Sequence, residues 1–106
     1  MFIVYFVHDS TVAVVLLKNT NNILPLQKTT KKIALIGPLV NAKRDQAGSW
    51  VVYADTANIV SVQEGMRAKF GAGTQFSYAE GTSITDTSTV GFKEAVTQAR
   101  NADVVV

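Results

Sequence analysis

The sequence predicts an α/β fold, a largely parallel sheet with helices on both faces (an α/β sandwich), and three observations carry that prediction. Residues 33–36 (IALI) and 104–106 (VVV) are short, continuous apolar runs, the pattern of strands buried on both faces. Two amphipathic helical patterns lie between them. A strand of alternating apolar and polar residues separates those helices, so the order is strand, helix, strand, helix, strand, which gives parallel pairing through right-handed crossovers.

Each element has its own local reason. Residues 1–7 (MFIVYFV) are apolar but lack the basic start and small-residue cleavage site of an export signal and the roughly 20 apolar residues of a membrane span. They are expected to be neither signal nor anchor, and read as a buried strand or as the product of a truncated reading frame. Residues 8–17 (HDSTVAVVLL) read as a helix capped by Asp9 or Ser10, or, from their β-branched density, as strand. Residues 19–22 carry the side chains of a turn, and Pro25 bars helix while tolerating an edge strand, which predicts a turn followed by a short extended piece. Gly37-Pro38 closes the strand at 33–36. Residues 39–59 have no sustained helical period and hold Gly48-Ser49-Trp50; loops this long in a small domain are often functional.

Ser61-Val62-Gln63-Glu64 has capping-box spacing and opens a helix with Val62, Met66 and Phe70 on its apolar face, Arg67 and Lys69 turned away, and Gly71 and Gly73 as its stop. In residues 74–79, Phe76 and Tyr78 alternate with Gln75 and Ser77, a strand pattern. Gly81 begins a polar loop. Phe92, Ala95, Val96 and Ala99 then recur at helical spacing, opposite Lys93, Glu94, Gln98 and Arg100. Asn101-Ala102 ends that helix, and Asp103 leads into the last strand. A finished domain rarely stops inside an apolar strand of a parallel sheet, so a truncated domain is expected.

At 106 residues, with 47% hydrophobic and 17% charged residues, the chain fits one domain with a real core. Ten basic against eight acidic residues give a net charge of +2 without basic runs interleaved with aromatics, so neither nucleic acid nor a membrane is expected as a partner. The lack of cysteine removes disulfides and thiol chemistry and leaves the compartment open. Gly37 is followed by Pro38 and by no further glycine until Gly48, so neither dinucleotide nor P-loop spacing exists. Gly71-Ala72-Gly73 sits at the end of a helix, where it reads as a stop. His8 stands alone beside Asp9 without a serine elbow, which leaves it capping or solvated. Glu64 is explained by its capping box, Glu94 by a solvent-facing position and Asp103 by a strand entry.

Trp50 lies beyond the carboxyl end of a parallel strand, where open α/β sheets bind ligands. Two readings stand: its ring stacks on a sugar, or it packs its loop onto the sheet. Arg44 and Asp45 either orient substrate hydroxyls or pair with each other.

Leu16-Leu17-Lys18-Asn19, Leu24-Pro25-Leu26, Ile33-Ala34-Leu35-Ile36-Gly37-Pro38, Arg44-Asp45, Gly48-Ser49-Trp50 and Val62-Gln63-Glu64-Gly65, in that order and spacing, resemble the carboxyl-side α/β sandwich domain of family three glycoside hydrolases of the bacterial β-glucosidase type. The resemblance covers residues 14–106 as a partial sandwich domain; residues 1–13 form a poorly matched segment. It implies a retaining enzyme whose preceding (β/α)₈ barrel supplies an aspartate nucleophile, with the sandwich closing over it and delivering a glutamate acid/base. Such chemistry needs two carboxylates roughly 5–5.5 Å apart. The acid/base loop follows the strand at 104–106 in the family, so both carboxylates are expected outside this chain, and Glu64, Glu80 and Glu94 are given no catalytic role. The isolated chain is accordingly expected to be inactive.

What the resemblance assigns here is a cleft-facing loop: Trp50 as substrate-binding, with Asp45 and Arg44 beside it. It further implies a β-linked glucoside or oligosaccharide as substrate, with β-xylosides and β-N-acetylglucosaminides as alternatives. No cofactor or metal is implied, the barrel domain is the partner, and the parent enzyme is periplasmic or secreted. The rival reading is a stand-alone α/β binding or interaction module.

Overall fold

The computed structural model describes residues 16–106 apart from positions 54 and 86, and its elements run β1 (Lys32–Ile36), α1 (Lys43–Gln46), α2 (Val62–Phe70), β2 (Gln75–Ala79), α3 (Phe92–Arg100) and β3 (Val104–Val105). The readings made for residues 1–15, including His8 and Asp9, lie outside the described residues. β1 is the centre of a three-stranded sheet ordered β2-β1-β3, parallel throughout. Ile33 stands opposite Phe76 on one side and Val104 on the other. Pairing runs one residue past β3, because the Val106 N–H donates to Ala34 and the Ile36 N–H to Val106.

The alternation of β1 sorts the helices onto two faces. Ile33 and Leu35 are fully buried, and with Val40 they form a core against Met66 and Phe70 of α2 and Phe76 of β2. Burying each of those two aliphatic side chains contributes about 1.5–3 kcal/mol. Phe70 and Phe76 meet edge to face, with ring centroids 6.2 Å apart. Ala34 and Ile36 point the other way, towards α3, whose Ala95 is buried. The chain leaves β1 for β2 over one face and returns from β2 to β3 over the other, so the two crossovers share one hand. This is the α/β sandwich that the sequence predicts.

Four local expectations are revised. The piece after the turn at Thr20–Asn22, residues 23–31, enters no ladder; it is tied to β2 by Thr74 Oγ1 donating to the Thr30 carbonyl and the Gln75 N–H donating to that of Lys31. A one-turn helix, α1, interrupts the long connection, in which no periodicity is visible because four residues are too few to display one. Val62, in the first turn of α2, points outward, and Arg67 is not simply turned away: its guanidinium lies 5.5 Å from the centroid of the Phe76 ring. Of the apolar stripe on α3, only Ala95 is buried, while Phe92 and Val96 remain half exposed.

Candidate functional site

The carboxyl edge of the sheet is where the chain's connections gather. Gly37, at φ 138, turns the chain out of β1, and its N–H donates to the Ala79 carbonyl at 3.0 Å, so β1 and β2 end side by side. In the order β2-β1-β3 the connections from β1 and from β2 depart over opposite faces, which makes this edge the crevice in which open α/β sheets bind ligands. The connection from β1 to α2 borders it and carries Arg44, Asp45 and Trp50.

That connection is anchored at its start and open beyond it. Val40 is 7% exposed and belongs to the core, and its carbonyl accepts the Gln63 N–H at the start of α2, at 3.2 Å. α1 follows without a side-chain cap and without a buried residue. Gly48, at φ 81, then turns the chain into Ser49-Trp50. Trp50 is 97% exposed, Val52 99% and Tyr53 84%. The alternative in which Trp50 packs its loop onto the sheet is therefore not what this structure adopts. Further on, Asp55 caps the single turn Thr56–Asn58, accepting the Ala57 N–H and the Asn58 carboxamide.

Arg44 and Asp45 are both exposed on α1. They do not pair with each other: the ion pair among the described residues joins Lys43 Nζ to Glu64 Oε1 at 2.7 Å. Glu64 has both oxygens committed, since its Oε2 accepts the Ser61 N–H at 2.8 Å while its own N–H donates to Ser61 Oγ at 3.2 Å. The Lys43 hydrogen bond, followed by that from Ser61, holds the Glu64 carboxyl below its ordinary range. This agrees with a capping residue rather than a free acid or base. Glu94 is exposed in the first turn of α3.

One feature of the same edge escaped the sequence reading. Glu80, directly after β2, lines a shallow cleft of about 200 Å³ with Gly81, Thr82, Ser83, Ser88 and Gly91. The signal that could have found it is the one that singled out Trp50, a position just past the carboxyl end of a parallel strand. Burial raises the neighbouring Tyr78 hydroxyl above its ordinary value, and the negative charge of Glu80 adds to the shift. Among the described residues, no three His, Asp or Glu side chains are grouped to hold a metal ion, and no helix is long and apolar enough to cross a membrane.

The family model for the "Glycosyl hydrolase family 3 C-terminal domain" matches residues 14–106. The chain belongs to that family. A β-xylosidase of Formosa agariphila is 35% identical to this family 3 domain over 99 residues, which cover 89% of the chain and 14% of that enzyme. A periplasmic β-glucosidase of Salmonella typhimurium is 37% identical over 114 residues, covering 89% of the chain and 15% of the relative. Among solved structures, a family 3 exo-β-xylosidase in complex with a xylobiose aziridine activity-based probe superposes with a TM-score of 0.66 at 36% identity, over 80% of this chain and 10% of that one. The family 3 domain thus spans a small part of the length of each relative it matches.

Proposed function

We propose that this family 3 domain lines the substrate cleft of a retaining glycoside hydrolase acting on β-linked xylosides or glucosides. In this reading Trp50 offers its ring to a sugar, Asp45 and Arg44 meet hydroxyl groups, and both catalytic carboxylates are supplied by the rest of the enzyme. The observation that carries it is Trp50, fully exposed on the connection that borders the carboxyl edge of a parallel sheet. A solvated indole exposes a large apolar face that a sugar ring, or the wall of a neighbouring domain, would cover. The β-xylosidase relatives make a β-xyloside the first substrate to try, ahead of the β-glucoside that the sequence resemblance favours. The same reading puts the parent enzyme in the periplasm or outside the cell.

The chemistry requires one carboxylate to attack the anomeric carbon and a second to protonate the leaving oxygen and then activate water. Glu64 is spent on its cap and its ion pair. A stand-alone binding module is the rival reading: residues 104–106 pair with β1, but Val105 and Val106 stay half exposed, which favours a part of a larger protein.

The test is hydrolysis of chromogenic β-xyloside and β-glucoside by the 106-residue chain, beside a longer protein in which this domain is joined to a family 3 barrel. Activity confined to the longer protein is expected; turnover by the chain alone would overturn the proposal and return Asp45 and Glu80 to consideration. In the longer protein, Trp50→Ala should raise KM, and an unchanged KM and kcat would remove Trp50 from the cleft.

A further inference from the structure

We infer that Lys43 and Glu64 form a clasp that fixes the position of the segment carrying Arg44, Asp45 and Trp50, which makes them positioning residues for the proposed sugar site; the link to sugar rests on the preceding reading. Two hooks hold the β1–α2 connection to the body of the domain. The first is Val40, with its side chain in the core and its carbonyl bonded to Gln63. The second is the 2.7 Å pair between Lys43, in the first turn of α1, and Glu64, in the first turn of α2. Between Val40 and Trp50 there is little else: α1 buries no side chain and lacks a side-chain cap, and Gln46 reaches only back to the Leu39 carbonyl.

An exposed ion pair ordinarily contributes little, because two long side chains must be ordered to make it. Here one partner is ordered beforehand. Ser61 is 2% exposed, and its N–H fixes Glu64 through Oε2, so Oε1 is presented to Lys43 without further ordering of the carboxylate. One oxygen serves the helix cap and the other the clasp. Releasing Lys43 would free α1 to swing about Val40, and the Arg44, Asp45 and Trp50 side chains would move with it.

Trp50 is the one tryptophan of the chain, so its fluorescence anisotropy decay reports the motion of this segment on top of overall tumbling and of the indole's own rotation, which the variants share with the parent. Lys43→Met removes the ammonium and leaves the α2 cap intact; Glu64→Gln removes the charge and keeps a capping side chain. In each variant of the 106-residue chain, the amplitude of nanosecond reorientation of Trp50 should rise roughly threefold, with far-UV circular dichroism unchanged. The double variant should go no further than either single one, and Lys43→Arg should restore the parent decay. Decays equal to the parent in both single variants, or effects that add in the double variant, overturn the clasp. The sugar reading is tested apart from this: in the longer enzyme, Lys43→Met should raise KM more than it lowers kcat. If Trp50→Ala leaves KM unchanged there, the sugar reading fails while the anisotropy result still decides the clasp.

Discussion

Asn19 holds Leu24 at both ends of its carboxamide: Nδ2 donates to the Leu24 carbonyl and Oδ1 accepts the Leu24 N–H, each at 2.9 Å. The turn between them uses Asn21 and Asn22 in the left-handed region, at φ 60 and 52, which asparagine tolerates better than most residues. The spacing of Leu16-Leu17-Lys18-Asn19 before Leu24-Pro25-Leu26 thus has a physical basis, a side chain that mimics a strand partner. Asn19→Ala deletes both bonds and should lower the unfolding free energy by about 1–2 kcal/mol. Urea titration would register this as an earlier midpoint with an unchanged slope, and Asn19→Asp, which keeps only the acceptor, should fall in between.

Gly91 and Gly81 touch backbone to backbone where α3 begins. A methyl group at Gly91 would overlap the Gly81 carbonyl, and backbone cannot swing aside as a flexible side chain can. Gly91→Ala should cost about 1–3 kcal/mol through forced displacement of the loop after β2. A thermal melt following circular dichroism would detect it. An unchanged melting temperature would mean that the loop yields freely.

Asp103 fastens the entry of β3 to that of β1. Its Oδ2 accepts from the N–H groups of Lys32 at 2.9 Å and Lys31 at 3.2 Å, while its own N–H donates to the Lys32 carbonyl. Asp103→Ala leaves the Lys31 and Lys32 amides to water and should cost about 0.5–1.5 kcal/mol for each bond lost. Faster amide hydrogen exchange at Lys31 and Lys32, with little change at Leu35, is the expected signature.

Acid should open the clasp in a defined direction. Lys43, and after it the Ser61 N–H, hold the Glu64 carboxyl below its ordinary value, and a carboxylate whose folded value is lowered stabilises the fold above the unfolded value and loses that contribution as pH falls through the folded one. The motion of Trp50 should therefore stay level through neutral and mildly acid pH and rise only below the ordinary carboxylate range. Glu64→Gln should abolish the rise and start from the mobile level, and a parent profile that stays flat in acid would contradict the assignment.

How much of this is legible in the sequence depends on the range of the interaction. β1 and the Ser61–Glu64 capping box are legible because a continuous apolar run and an S-x-x-E spacing are local signals. The exposure of Trp50 is not, since Gly48 and Ser49 fit a packed loop and a solvated one equally well. The Lys43–Glu64 pair and the stacking of Arg67 on Phe76 join segments whose proximity only the fold creates. The spacing of Phe92 and Val96 specifies the helix, but periodicity gives a face without specifying what lies against it, and both side chains stay half exposed. The cleft at Glu80 is legible only by place, from the rule that ligands gather past the carboxyl ends of parallel strands.

The central place of β1 has a consequence during synthesis. Of the described strands it is made first, and its edge towards β3 is paired last: Asp103, which fastens β3 beside it, follows Lys32 by 71 residues. At ordinary elongation speeds the ribosome needs roughly 4 to 14 seconds to cover that stretch. Throughout it, Ile33, Ala34 and Leu35, later the most deeply buried run of the domain, are without a complete sheet. Until then the nascent domain holds its most deeply buried strand with β2 on one side and an open hydrogen-bonding edge on the other.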